Sequence, residues 1–212
     1  MTAIRAPRVS APDLPDALSP AAPSRRADLL AAAIACSGET DLAHASLEQC
    51  LLTGTADRID LTGAMLIDVR FTDLRTPVLT MRDASVRRLS IDGGRIGALD
   101  LSSARIAELE IRGARIDYLS LGAARGEDIL VVGSTLRALD LPHATLSRLR
   151  FDDCQADEVD SRGLSAKDVD LRGLHAVAYL DVLSLRGTTL SPHQVEQLAP
   201  AFAAAAGIDV QA

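Results

Sequence analysis

A five-residue repeat of apolar residues governs what this chain can become. From Leu99 to Leu121, large aliphatics stand at Leu101, Ile106, Ile111, Ile116 and Leu121, and two places before each stands Leu99, Ala104, Leu109, Ala114 or Leu119. A helix places apolar residues at three- and four-residue steps, and a half-buried strand alternates strictly. A unit with inward positions i−2 and i around one outward residue is instead a short strand followed by a corner.

The register extends this reading over most of the sequence. It begins at Leu42, Leu47 and Leu52, slips by one residue between Leu52 and Leu61, and then runs unbroken to Ala176. Sorting every fourth unit separates large from small i−2 residues. One column reads Ile59, Leu79, Leu99, Leu119, Leu139, Val159, and the next Ala64, Ala84, Ala104, Ala124, Ala144, Leu164. A ten-residue period is thus present, and one of twenty is consistent with it. Where i−2 grows to Leu164 or Leu174, its partner shrinks to Ala166 or Ala176, the volume trade a close-packed core demands. Pro77 and Pro142 fall at i+1, where no ladder donor is lost. With 2% aromatic residues and no Trp, this core is thin, repetitive and aliphatic.

The ends read differently. Five of the nine prolines lie in the first 23 residues, predicting a disordered arm over 1–23. Ser24 as an N-cap predicts a helix over 24–37, with Leu29, Leu30, Ala33 and Ile34 on its apolar face, covering the open end of the array. The repeat array spans 40–190, and a second one-residue slip after Ala176 restarts the phase at Leu180, Leu185 and Leu190. Ser191, Pro192 and Gln194 form a capping box that starts a helix in the final segment, 191–212. Val195, Leu198 and Phe202 line its face, Pro200 kinks it, and Ile208 and Val210 add a short last strand. Arg25-Arg26 before a short apolar run to Cys36 resembles a lipoprotein signal only loosely, since Asp28 interrupts it.

The runs A-R-I, A-T-L and L-D-L at five-residue spacing resemble the bacterial pentapeptide-repeat proteins, over about Thr40 to Leu190. The resemblance implies an all-β solenoid, a right-handed quadrilateral parallel β-helix with four units per coil. It also implies that the C-terminal region makes a homodimer contact, here through Val195, Leu198 and Phe202. The chain departs from the family pattern where i−1 is Arg, Ser or Thr and where i is Thr76, Gly126 or Ser161. A leucine-rich repeat is the alternative: Leu136 to Leu146 fits its signature except at Ala144, but adjacent matches share Leu146 and leave no convex half.

Chemical motifs are sparse. The sequence has no phosphate-binding glycine loop, nucleophile elbow or metal-ligand pair, and His44, His143, His175 and His193 stand alone. Cys50 and Cys154 read as small core residues, and three scattered cysteines fit a reducing, cytoplasmic setting better than a disulfide framework. A non-enzymatic protein without cofactor or membrane span is expected. A net charge of −7 argues against direct binding of nucleic acid.

Outward residues carry the functional expectation. One i−1 column reads Asp60, Thr80, Asp100, Ser120, Asp140, Asp160, with Asp152 and Asp153 in an acidic cluster nearby, and another face carries Arg75, Arg95 and Arg115, with Asp117, Glu108 and Glu110 near enough in sequence to pair with them. Some pentapeptide-repeat proteins mimic DNA and occupy the DNA-binding saddle of DNA gyrase or topoisomerase IV. The resemblance therefore implies a topoisomerase partner for Asp60, Asp100, Asp140, Asp160, Asp152 and Asp153. The competing expectation is a scaffold whose charges only solvate it. A mimic requires a continuous negative surface, whereas a scaffold mixes charges on all faces, and a solid core should leave no concave pocket for an enzyme.

Overall fold

The computed structural model describes residues 4–211. Eighteen strands, from Ser19–Ala21 to Thr188–Thr189, join in one parallel ladder that winds through about 8 turns, and one α-helix, α1 (Pro192–Ala205), follows. From the pair Thr55 and Arg75 to the pair Asp160 and Leu180, ladder partners stand twenty positions apart: Arg95 with Arg115, Leu109 with Ile129, Thr145 with Ser165. Four five-residue units therefore make one coil. Strands occur throughout the coil, so nothing corresponds to the convex half of a leucine-rich repeat.

Backbone geometry marks the corners. Two places after the second inward residue, φ turns positive at Asp83, Arg88 and Gly93 in one coil and at Ala123, Asp128 and Gly133 in a later one. At the fourth corner the strand runs through, as in Arg115–Ser120 and Thr135–Asp140. Asp and Gly reach the left-handed region at little steric cost, which explains their recurrence there.

The core is the stack of inward columns. Phe71, Ile91, Ile111, Val131 and Phe151 form one, none more than 1% exposed. Each such side chain contributes about 1.5–3 kcal/mol on burial. The polar inward exceptions satisfy themselves: Thr76 Oγ1 donates to the Val78 carbonyl (3.0 Å), and Ser161 Oγ donates to those of Leu180 (2.7 Å) and Asp181 (3.0 Å). Gly126 leaves no hole, because Ile129 Cδ1 lies 2.7 Å from where a Cβ would stand.

The first slip is a bulge between Thr53 and Thr55, where the pairing offset changes from 19 to 20. Gly54 sits there at φ +117, and a Cβ on it would lie 2.4 Å from the Cys36 carbonyl oxygen. The second slip falls later than the sequence suggested. Leu180 still pairs with Asp160 and faces outward, 39% exposed, with Tyr179 beneath it opposite Val159. The coil is then shortened by one residue at a 3-10 turn, Val182–Leu185, after which Val169 pairs with Thr188, nineteen positions on.

The expected helix over 24–37 is absent. Asp28–Leu30 and Ala32–Asp41 are strands, with Ala32, Ile34 and Cys36 buried at period two and left-handed residues at Arg26 and Ala31 that no helix tolerates. Pairing onto the next coil, Ile34 with Leu52, outweighs the local helix preference of an Ala-rich run. The coils thus begin at Ser19, before residue 40. The arm, expected to be disordered over 1–23, lies ordered against the rod from residue 4 on; residues 1–3 fall outside the described residues.

At the other end α1 has its full capping box, and Gln194 Nε2 also donates to the carbonyls of Leu171 (2.8 Å) and Leu174 (2.9 Å), which ties the helix to the last coils. The helix continues through Pro200 to Ala205, and Ile208 and Val210 are exposed and form no strand. No helix is long and apolar enough to cross a membrane among the described residues.

Candidate protein-binding surface

The aspartate column lies on one face in the expected register: Asp60 opposite Thr80, Thr80 opposite Asp100, Ser120 opposite Asp140, Asp140 opposite Asp160. Its chemistry is local. Asp60 accepts from the Thr62 amide (2.9 Å), Asp100 from Ser102 (3.0 Å) and Asp160 from Arg162 (3.1 Å), each two residues ahead. These are Asx-turns, in which a carboxylate satisfies the first amide of the corner. Ser120 does the same for Gly122 (3.3 Å). Asp140 is the exception, because Pro142 has no amide to offer; its carboxylate instead accepts from the Tyr118 hydroxyl. That bond raises the Tyr118 pKa.

Arginines further occupy these carboxylates. Arg58 lies 3.4 Å from Asp60, Arg82 3.1 Å from Asp100, and Arg162 2.5 Å from Asp160. Hydrogen bonds from Arg162 hold the Asp160 carboxyl below the usual carboxylate range. Burial raises that of Asp60, but bonds from Thr62 together with the Arg58 guanidinium outweigh it and the net direction is down. Asp152 pairs with Arg150 (3.2 Å), and Asp153 is a left-handed corner residue. The column is therefore a row of corner caps with cationic neighbours, and no continuous negative stripe.

Arg75, Arg95 and Arg115 do stack, as successive ladder partners. Of the acids expected to help them, Glu110 is engaged by Arg112 and Glu108 by the arm, and among the described residues neither Asp117 nor the three arginines make a salt bridge. His44 and His143 are left-handed corner residues lying over Gly63 and Gly163 of the next coil, and His175 faces outward opposite Gln155. Among the described residues no three His, Cys, Asp or Glu side chains gather as a metal site. Cys36, Cys50 and Cys154 are free and buried, and burial pushes the Cys36 thiol up to about 11.

Two features were not expected. The first is a groove of about 720 Å³ on an outer face, where Val86, Ile106, Gly126 and Leu146 pass beneath Arg87, Arg105, Arg125 and Lys167. None of those four cations makes a salt bridge among the described residues. A solid core leaves the outer face free to be concave, so the expectation of no pocket fails. The second is the arm, which follows the corner beside that groove. Its amides donate to one carboxylate after another: Arg5 to Asp168 (3.2 Å), Arg8 to Asp128 (2.9 Å), Ser10 to Glu108 (3.1 Å), Asp13 to Asp68 (3.0 Å). Between these acids, Arg88 lies 2.5 Å from Asp68 and Arg148 bonds Asp128 at 2.6 and 2.8 Å. The signal was present at every twentieth residue: Asp68, Arg88, Glu108, Asp128, Arg148, Asp168.

The residues assigned to a dimer contact divide. Leu198 and Phe202 pack on the core, whereas Val195 is 46% exposed, near the exposed Leu183. No protein-family model matches this chain, and no curated protein matches it.

Proposed function

We propose that the protein is a pentapeptide-repeat rod without catalytic activity, acting in the cytoplasm as a rigid surface for a protein partner. One observation carries this reading: a constant twenty-residue register sets outward side chains in straight columns. Neighbours in a column stand about 4.8 Å apart. Such columns present fixed charge and shape with little ordering entropy left to lose on binding. Five-residue phasing on every face supports the family reading.

Within it, the resemblance nominates DNA gyrase or topoisomerase IV as the partner, held through Asp60, Asp100, Asp140, Asp160, Asp152 and Asp153. A rod of six coils between 57 and 176, roughly 29 Å long at the strand spacing, supports this. The net charge of −7 is modest for such a mimic, and the Arg75, Arg95 and Arg115 stripe would repel a basic groove. The arginines beside Asp60, Asp100 and Asp160 favour the second reading, a scaffold for a different protein. Gyrase supercoiling with a quinolone, at two salt concentrations, separates the two. Salt-sensitive inhibition or drug protection that is lost when the four column aspartates become lysine establishes the topoisomerase reading, and no effect at micromolar protein leaves the scaffold. A homodimer through Val195 and Leu183 is part of the proposal, checked by sedimentation of Val195→Glu.

A further inference from the structure

The arm and the corner beneath it match in length, charge and donor placement. From Asp168 back to Asp68 is five coils, a rise of roughly 24 Å at the strand spacing. The eight steps from Arg5 to Asp13 span about 25 Å as an extended, polyproline-like chain. The arm thus advances in step with the coils, in the direction opposite to their winding. Its prolines fall between the donors: Pro7 and Pro12 alternate with the amides of Arg5, Arg8, Ser10 and Asp13, so no carboxylate faces a residue without an N–H. Charges complement as well. Arg8 lies by Asp128, Asp13 lies by Arg88, and Ser10 adds its hydroxyl to Glu108 at 2.7 Å.

The attachment is shallow. Pro12 is buried, but Arg5, Arg8, Ser10 and Asp13 are exposed, and the contacts are chiefly main-chain hydrogen bonds. Main-chain donors belong to any extended chain, so the corner recognises a backbone shape, a proline spacing and a charge order more than particular side chains. The carboxylates of Glu108 and Asp168 make no hydrogen bond other than to the arm among the described residues, although the Asp168 backbone serves the rod as a left-handed corner.

We propose that this corner column is a binding site for an extended, proline-containing peptide segment bearing two cationic residues three positions apart. The arm occupies it in cis, and a partner's segment of that kind displaces the arm. This rests on the reading of the rod as a protein-binding surface, and it names both surface and ligand class. Tethering gives the arm an effective concentration near the millimolar range, so the intact chain resists competitors and the site opens fully only when the arm is released.

The test uses the folded full-length protein carrying a protease site in the exposed stretch Pro15–Ala17, cut after folding, with circular dichroism before and after to verify the rod. The probe is a labelled synthetic peptide of residues 4–18, read by fluorescence anisotropy. Saturable binding to the cut protein is expected, weakened roughly tenfold by Glu108→Ala with Asp168→Asn, the loss of one or two charge-assisted bonds. Binding to the uncut protein is expected to be weaker by a similar factor or more. An arm fragment that co-elutes with the rod after cutting supports the proposal equally. No saturable binding up to about 1 mM, the concentration a tether supplies, overturns it, as does binding indifferent to the cut or to both substitutions. The assay contains only this chain, so failure here leaves capture of a partner by the aspartate column untouched, and failure there leaves this result standing.

Discussion

Ile111→Ala measures how much one inward position holds. Ile111 is 0% exposed and sits in its column between Ile91 and Val131, with Phe71 and Phe151 two coils away on either side. Truncation to Ala removes three carbons, and neighbours fixed by ladder hydrogen bonds can collapse only partly into the space. The expected loss is about 2–5 kcal/mol, transfer plus cavity. Its outward neighbour Arg112 pairs with Glu110 on the surface. Arg112→Ala is therefore expected to cost about 1 kcal/mol or less. Urea unfolding followed by far-UV circular dichroism gives both numbers, provided the slope m stays constant between variants. Ile111→Asp goes further, since an unpaired charge on that site adds several kcal/mol and exceeds what a coil exchanging contacts only with its two neighbours can absorb. Equal midpoints for Ile111→Ala and Arg112→Ala, or a folded Ile111→Asp protein with unchanged melting, would refute the assignment of inward and outward positions.

Gly54→Ala is expected to lower the melting temperature, because its Cβ would lie 2.4 Å from the Cys36 carbonyl oxygen at φ +117; strain of about 1–3 kcal/mol is the scale for such a conformation, and an unchanged calorimetric melt would count against it. Gln194→Ala removes the reciprocal half of the capping box and takes the side-chain donor away from the Leu171 and Leu174 carbonyls, of which Leu171 keeps the Leu174 amide. A loss of about 1–3 kcal/mol is expected, visible as faster amide exchange in α1 with the coils before Asp160 unaffected. Asp128, Asp160 and Asp170 are held below the usual carboxylate range chiefly by hydrogen bonds from Arg148, Arg162 and Arg172. A depressed carboxylate contributes stability that is complete above its unfolded pKa, about 4, and disappears as pH falls through the lower folded value. Melting temperature is therefore expected to be flat from pH 7 to 5 and to drop below 4, with a shallower drop in Asp128→Asn, whose partner Arg148 is the best shielded of the three arginines.

The inward lattice was legible because burial imposes a period that few other constraints disturb. Even the missed first coils carry it: Ala27 with Leu29 and Ala32 with Ile34 continue the i−2 and i spacing back through the region read as a helix. There the Ala- and Leu-rich composition and a plausible Ser24 cap concealed the phase, and only the pairing of Ile34 with Leu52 decides between them. Leu180 was misassigned for the opposite reason. A large aliphatic in phase with Leu185 looks inward, yet the ladder holds register through Asp160 and Leu180, and the 3-10 turn absorbs the slip afterwards. The arm was illegible in itself, since proline-rich composition signals disorder and amide donors leave no trace in sequence. Its complement is written 55 to 163 residues further on, at i+2, a position of the unit that the inward register leaves unread.

The aspartate column shows how a repeat can mislead about function. An acid at i−1 in four of six successive coils looks selected for a partner, because solubility alone needs no register. The corner supplies another reason for the register: the amide two residues on requires an acceptor, and Asp or Ser provides it at Asp60, Asp100, Ser120 and Asp160. Asp140 separates the two explanations, since Pro142 has no amide to cap and the carboxylate is still present, engaged by Tyr118. If corners were the whole account, Asp140 would be the one aspartate of the column whose loss costs no more than an exposed hydrogen bond. Asp140→Asn is thus expected to leave stability within about 0.5 kcal/mol, the range of ordinary surface substitutions, while Asp160→Asn, which can keep the corner cap but loses the ion pair of a buried carboxylate with Arg162, costs more. A partner held through this column reverses that order in a binding assay, with Asp140, which makes no salt bridge among the described residues, mattering most.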